Sequence, residues 1–104
     1  MHINQFDVFQ NPIAKSRADY PYVCVLQNDL YRDLSSCLVA FVTHNETLAL
    51  ERLSVTIKDN SEYYYVSTNV MFTIEASRLN KFMFNVSDQR DELLNAYDAL
   101  FTGI

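Results

Sequence analysis

The hydrophobic pattern of this chain changes its period once, near residue 87. Before that point apolar residues alternate with polar ones or form short runs, as in RLSVTI (52–57) and EYYYVSTNVMFTIEA (62–76), and both patterns are typical of β-strands. After it, apolar residues recur at the three- and four-residue spacing of an amphipathic helix. These residues are Leu93, Leu94, Tyr97, Leu100, Phe101 and Ile104. The change predicts a mainly β fold with one C-terminal α-helix.

Three shorter segments complete the predicted strands. They are FDVF (6–9), YVCVLQ (22–27) and CLVAFV (37–42). KDNS (58–61) precedes the longest strand segment and has the composition of a hairpin turn. The polar segment QNPIAKSRADYP (10–21) holds both prolines and is predicted to be a loop, whereas HNETLAL (44–50) could form a helical turn.

Both ends of the predicted helix carry sequence signals. Ser87 is a candidate N-cap, and Asp91 and Glu92 place negative charge near the positive end of the helix dipole. Gly103 is the only glycine among 104 residues. It falls where a left-handed residue ends a helix at little cost. The apolar Ile104 after it is unexpected, because a helix cap normally turns the chain toward a following segment.

Length and composition restrict the class of protein. At 104 residues the chain is predicted to form a single domain over residues 1–104. Apolar residues make up 49% of it and charged residues 20%, which is typical of a globular protein. No apolar run approaches the roughly 20 residues of a membrane helix, and the first residues lack the pattern of a signal peptide. We therefore expect a cytoplasmic protein with no membrane partner.

The net charge of −5 argues against direct binding to nucleic acid, because such binding relies on clustered Lys and Arg that face phosphates. The eight basic residues are scattered along the sequence. The run Tyr63, Tyr64, Tyr65 could stack on bases only within a basic groove, so we interpret it as a strand with Tyr64 on one face and its neighbours on the other.

The sequence offers no pattern for a cofactor or a metal. Cys24 and Cys37 lie in apolar runs, which favours two buried free thiols, and a disulfide between them would require an oxidising compartment. His2 and His44 are isolated, and neither belongs to a metal-binding spacing. We therefore expect no cofactor and no metal site.

Four segments, taken in order, resemble the CcdB family of gyrase-poisoning toxins from toxin–antitoxin modules. They are QFDVF (5–9), YPYVCVLQNDL (20–30), LVAFV (38–42) and QRDELLNAYDALFTGI (89–104). The most specific pieces are YPY, QNDL and a C-terminal helix that ends in Gly-Ile. The resemblance covers nearly the whole chain and is weakest over residues 43–58.

The resemblance implies a homodimer. Each subunit would be a twisted antiparallel sheet related to the SH3-like barrel toxins, with a small second sheet and with its helix ending near the dimer axis. Its function would be that of the toxin component of a type II module, a system often used for plasmid maintenance. The toxin would bind the gyrase A subunit and trap gyrase on cleaved DNA. This is inhibition by binding, so the resemblance implies no enzymatic activity and no catalytic residue.

The resemblance also implies two protein partners besides the second subunit. One is the gyrase A subunit. The other is a cognate antitoxin whose disordered C-terminal segment would order on the dimer and remove it from gyrase. The paired strands and the loop over residues 10–21 would offer the groove for that segment.

By the same resemblance, the gyrase-binding site lies at the end of the helix and in the turn after QND. The matched residues are Leu30, Tyr31, Asp98, Phe101, Thr102, Gly103 and Ile104. Phe101 and Ile104 would supply apolar contact area, and Gly103 would let the backbone come close to the partner. Asp98 would make a polar contact.

The chain departs from the family pattern at four positions. Thr102 replaces a tryptophan that stacks on a gyrase arginine in the best-known members. Cys37 replaces an arginine, and Phe41 and Glu75 each replace a proline. Two alternatives follow, an inactive homologue or an endoribonuclease of the structurally related MazF type. The enzyme would need a basic RNA groove and a positioned arginine, and both the acidic charge and Cys37 argue against it.

Overall fold

Residues 3–31, 33–50 and 53–103 are described by the structure, a computed structural model of the chain. Six strands form one antiparallel sheet in the order β4-β5-β3-β2-β1-β6. The strands are β1 (Asp7–Gln10), β2 (Tyr22–Val25), β3 (Ser36–Thr43), β4 (Ser54–Asp59), β5 (Glu62–Glu75) and β6 (Phe82–Asn85). The helices are α1 (Glu46–Leu50) and α2 (Arg90–Thr102). The predicted mainly β fold with a C-terminal helix is confirmed.

The β4–β5 hairpin turns on Asn60 and Ser61, as the KDNS segment predicts. Asp59 pairs with Glu62, so the loop has two residues. Their φ angles of 48° and 71° are both positive, which is the requirement of the type I′ turn that matches strand twist. Asparagine tolerates this region better than most residues. A tight hairpin is therefore built here without glycine.

Strand β5 connects two parts of the sheet. Residues 62–67 pair with β4, and β3 pairs with two stretches of β5, residues 65–66 and residues 71–75. Between them the register is irregular, because Ala40 pairs with Met71 whereas Val42 pairs with Val66. The described strands form one continuous sheet, so the small second sheet that the resemblance implies is not separate from the main one.

Phe41 lies opposite this irregularity, at a position where the family pattern has proline. Its ring stacks on Tyr20 and packs against Phe72, with ring centroids 4.8 Å apart in each pair. Strands tolerate proline at bulges because a backbone N–H is left unpaired there. In this chain the aromatic packing of Phe41 stands where the family pattern has the proline ring.

Both faces of the sheet are buried. One face carries a cluster that includes Val8, Cys24 and Ala40 and is covered by Leu93 of α2. The other carries a cluster that includes Phe9, Val23, Cys37 and Leu79. The two cysteines are free and buried, as their apolar surroundings predict.

The N-terminal end of α2 differs from the prediction. Ser87 is not its N-cap, because a 3₁₀ turn over Ser87–Gln89 precedes the helix and no side chain caps Gln89. The N–H of Ser87 instead donates to Oδ1 of Asn85, at 2.8 Å. The Asn85 side chain thus accepts from the backbone N–H two residues ahead, which is the pattern of an Asx turn.

The side chain of Gln89 forms hydrogen bonds with strand β4, about 30 positions earlier in the chain. Its Oε1 accepts from the N–H of Lys58 at 2.8 Å, and its Nε2 donates to the carbonyl oxygen of Lys58 at 2.7 Å. β4 and β6 are the two edges of the sheet. The amide therefore joins the residue before α2 to the edge strand β4, through both backbone groups of Lys58.

Within the three described ranges, neither helix has the length and apolar character that a membrane crossing requires.

Candidate functional site

The last turn of α2 exposes an aromatic side chain that belongs to the buried stripe of the helix. Leu93 and Tyr97 are buried, whereas Phe101, one turn further on, is 68% exposed. Its ring lies beside that of Tyr97, with centroids 6.4 Å apart and planes inclined by 26°. The stripe therefore runs past the edge of the core, and its last member faces solvent.

The helix ends at Gly103, with φ 73° and ψ 18°. The N–H of Gly103 donates to the carbonyl oxygen of Ala99 at 3.0 Å. A Cβ atom here would meet no atom within 4 Å, so the left-handed backbone is what favours glycine at this position, and crowding plays no part. The predicted end of the helix is confirmed, and Ile104 lies outside the described residues.

Asp98 and Thr102 lie one turn apart on the same end of α2, and both are exposed. Together with Phe101 and Gly103 they form a surface that we call the helix tip. Four of the predicted site residues are thus contiguous in space because they are contiguous in the chain.

The other predicted residues lie on a 3₁₀ turn over Asp29–Tyr31. Leu30 is 83% exposed and Tyr31 55%. The QND side chains hold the turn: Oδ1 of Asn28 accepts from the N–H of Leu30 at 2.9 Å, and Nε2 of Gln27 donates to the carbonyl of Tyr31 at 3.1 Å. Two large apolar side chains are therefore presented to solvent on a fixed backbone.

Gln5 connects this turn to the first residue of α2. Its N–H donates to Oδ1 of Asp29 at 2.6 Å, and its Nε2 donates to the carbonyl of Leu26 at 2.9 Å. Its Oε1 accepts from Nη1 of Arg90 at 2.9 Å. A single residue, through its backbone and its side chain, thus helps fix the turn relative to the helix.

An apolar cleft of about 190 Å³ lies between the sheet and α2. Its lining residues are Phe6, Leu26, Leu38, Met71, Leu94, Tyr97 and Phe101. Among the predicted site residues that the structure describes, Phe101 alone lines it, while Leu30 and Tyr31 lie on the turn that follows Leu26. The helix tip and the turn therefore flank one apolar surface, and sequence reasoning missed the cleft because its walls come from five segments that are separate in the sequence.

The floor of the cleft contains an unpaired phenol. The hydroxyl of Tyr97 is buried and has no hydrogen-bond partner in the described chain. Burial raises the pKa of Tyr97, and the nearby Cys24 adds to the effect. An unmade hydrogen bond of this kind costs about 1–3 kcal/mol.

The described residues hold no group of three or more His, Cys, Asp or Glu side chains that could bind a metal ion. A comparison with curated proteins finds no match. The family model for the CcdB protein matches residues 5–103, which include every strand, α2 and both parts of the site. The chain therefore belongs to the CcdB family, the toxins of toxin–antitoxin modules.

Proposed function

We propose that this protein is the toxin of a type II toxin–antitoxin module, and that it binds the gyrase A subunit and traps gyrase on cleaved DNA in the cytoplasm. The observation that carries the proposal is the helix tip, where Phe101 continues the buried stripe of α2 and is nevertheless 68% exposed. Apolar surface left open in this way usually marks an interaction site.

The contact is made by the helix tip and the turn together. Its residues are Leu30, Tyr31, Asp98, Phe101, Thr102, Gly103 and Ile104. Aromatic and large apolar side chains carry much of the energy of an interface when they enter a pocket on the partner. Gly103, with no side chain, lets the end of the helix come close to that pocket.

Trapping follows from differential binding and needs no catalytic group. A ligand shifts an equilibrium only as far as it binds one state better than the other. The toxin therefore binds gyrase more tightly when the DNA is cleaved than when it is resealed. The gyrase A subunits form a dimer, and a toxin dimer offers two helix tips to a target of the same symmetry.

The antitoxin acts as the second partner. Its disordered C-terminal segment orders on the toxin, so it can wrap around an extended surface and compete for the toxin with gyrase. The loop over residues 10–21 contributes to that surface.

The test is a cleavage assay with gyrase, supercoiled DNA and ATP, scored as linear DNA after detergent and protease. The wild-type protein should produce linear DNA, and Phe101→Ala should produce far less. Leu50→Ala is the matched control, because Leu50 is 80% exposed on α1, outside the proposed contact. If the wild-type protein yields no linear DNA at saturating concentration, or if both variants act alike, the proposal is wrong.

A further inference from the structure

The two edges of the sheet differ in how they are covered. At β4, the side-chain amide of Gln89 occupies the backbone groups of Lys58. At the opposite edge, β6 has no strand on its outer side within the described ranges. An open edge presents unpaired backbone donors and acceptors, which favours pairing with another chain.

The side chains of β6 also favour an interaction at this edge, because two of them are apolar and exposed. Phe82 is 52% exposed and Met83 is 47% exposed. As neighbours in a strand they point to opposite faces, so apolar surface is open on both sides of the edge. Phe82 is anchored by an edge-to-face contact with Phe9, with centroids 5.8 Å apart. The edge is thus ordered as well as open.

A polar cleft of about 420 Å³ adjoins the beginning of β6. It is lined by Gln10, Pro12, Arg17, Ser77, Arg78, Asn80 and Lys81. Three of the eight basic residues of an acidic chain line this cleft, because Arg17 meets Arg78 and Lys81 there although it is far from both in the sequence. Among the residues that the structure describes, no carboxylate lines this cleft.

The cations of the cleft are held in place but not neutralised. Arg17 donates from Nε to the carbonyl of Asn11 at 2.7 Å and from Nη2 to that of Pro12 at 3.3 Å, and Nη2 of Arg78 also donates to Pro12 at 3.3 Å. The ammonium of Lys81 has no partner within the described chain. These groups keep donors for an incoming anion, and a guanidinium binds carboxylates well.

The edge and the cleft are continuous. Lys81 directly precedes Phe82, and its carbonyl oxygen accepts from the N–H of Gln10 at 2.8 Å, which fixes the start of β6 against β1. A strand added antiparallel to β6 would pass its C-terminal end over the cleft. Every pair in this sheet is antiparallel, so this direction continues the existing pattern.

We propose that β6 and the basic cleft form a docking site for an acidic, extended peptide segment of a partner protein. The segment pairs antiparallel with β6, and carboxylates in its C-terminal half reach Arg17, Arg78 and Lys81. Backbone pairing supplies affinity and the cleft supplies direction and charge selection, as in other cases of strand addition. The proposal does not depend on any action on gyrase.

A peptide fits this surface better than a nucleic acid. The net charge of −5 repels a polyanion over most of the surface, whereas a short segment with a few carboxylates meets only the local positive cleft. The exposed strand edge can pair with a peptide backbone, whereas nucleic acids are bound through base stacking and phosphate contacts, which do not use such an edge.

The probe is a fluorescent synthetic peptide with alternating valine and threonine in its N-terminal half and glutamate in its C-terminal half. Its binding to the full chain is measured by fluorescence anisotropy. The reversed sequence and a version with glutamine for glutamate should each bind about tenfold more weakly or worse, because they lose the charge-assisted contacts. Raising the salt concentration should weaken binding of the first peptide most.

Two further probes test the backbone pairing. Each carries N-methyl groups on alternate residues, in one of the two possible phases. Only one phase places the methyl groups toward β6, so one probe should lose binding and the other should keep it. Equal binding by both methylated probes would overturn strand addition.

Arg78→Gln combined with Lys81→Gln should weaken binding about tenfold or more. Both side chains are exposed, so the fold should be unaffected, which circular dichroism checks. Lys58→Gln, on the opposite edge of the sheet, is the matched control and should bind as the wild type does. Unchanged binding by the double variant, or displacement of the peptide by an RNA oligonucleotide at equal concentration, would overturn the proposal.

Discussion

The hydroxyl of Thr102 donates a hydrogen bond of 2.6 Å to the carbonyl oxygen of Asp98, one turn earlier in α2. A threonine within a helix commonly donates its hydroxyl to the carbonyl oxygen four residues earlier, beside the backbone hydrogen bond. The hydroxyl is therefore engaged within the helix. What Thr102 offers to a partner is a small apolar methyl group, where the family pattern has a large ring.

The first prediction concerns this position. Thr102→Trp should tighten binding to the gyrase A subunit by roughly 0.5–2 kcal/mol, because an indole can stack on a partner arginine. The free energy of unfolding should change by no more than about 0.5 kcal/mol, since the site is exposed. Gyrase affinity and thermal melting of the same samples provide the measurement.

Thr102→Val is its control, because it keeps the shape and removes the hydroxyl. It should lower stability slightly and leave gyrase affinity unchanged. A Thr102→Trp variant that binds no better than the wild type would show that position 102 does not face an arginine.

The second prediction separates the cap from the contact. Deletion of Gly103 and Ile104 should lower the free energy of unfolding by only about 1 kcal/mol, the usual size of a lost helix cap. Gyrase binding should fall far more, because a small apolar hot spot carries much of the energy of an interface. Thermal melting and gyrase affinity are measured side by side.

Gly103→Asn provides the comparison, since asparagine tolerates the left-handed conformation. It should melt close to the wild type and still bind gyrase more weakly if close backbone approach matters. A truncated protein that is unfolded would make the glycine chiefly a structural cap, and one with both properties intact would remove the helix tip from the site.

The sequence was sufficient for most elements because their patterns are local. Alternation predicted β4, and the long run of aromatic and β-branched residues predicted β5. Helical spacing predicted α2, and the glycine predicted its end at Gly103. Strand β6 (Phe82–Asn85) was missed, because it is short, exposes apolar residues on both faces and so shows no alternation. Its order comes from pairing with β1, more than 70 positions earlier.

The sites, like the elements, could be predicted where their residues are close in the sequence and not where distant segments meet. The helix tip could be predicted because its residues are consecutive. The apolar cleft and the basic cleft could not, since their lining residues converge only when distant segments pair. Ser87 was predicted as the N-cap of α2 from its residue type, but the helix begins three residues later because a 3₁₀ turn over Ser87–Gln89 precedes it.

The third prediction concerns alkaline pH. Burial, with a smaller contribution from Asp7, raises the pKa of Cys24 from 9.0 to about 12 and that of Cys37 to about 11. Because the neutral thiols are favoured in the folded state, their stabilising effect is complete below about pH 9. It is lost as the pH rises toward 12.

Urea unfolding between pH 8 and pH 11 measures this loss. Cys24→Ala should show a shallower fall of stability with pH, whatever its absolute stability. At pH 8 neither thiol should react with a disulfide reagent until the protein is denatured. Rapid modification of the folded protein would contradict the burial of both side chains.

The fourth prediction concerns assembly. The resemblance to the CcdB family implies a homodimer, whose two-fold interface is self-complementary. We expect a dimer, with twice the 12.1 kDa mass of the chain, at micromolar concentration. Light scattering across that range is the measurement, and a particle of 12.1 kDa throughout would refute the dimer.

The fifth prediction concerns the two hydrogen bonds between the side chain of Gln89 and the backbone of Lys58 in β4. Gln89→Met keeps the length of the side chain and removes both hydrogen bonds to Lys58, so it should lower the free energy of unfolding by about 1–2 kcal/mol. Gln89→Glu keeps the acceptor for the N–H of Lys58 but sets a carboxylate against its carbonyl oxygen. At neutral pH it should therefore be no more stable than Gln89→Met.

The pH dependence of Gln89→Glu completes this test. A protonated carboxyl can donate to the Lys58 carbonyl as the amide does, so its pKa in the folded state should lie above the unfolded value of about 4.3. The variant should then approach the wild type below that pH and lose the gain as the pH rises through the folded pKa. Urea unfolding at pH 3.5 and pH 7, with wild type and Gln89→Met alongside, measures it. If Gln89→Met is as stable as the wild type, these two hydrogen bonds do not contribute to stability, and packing alone holds α2 against β4.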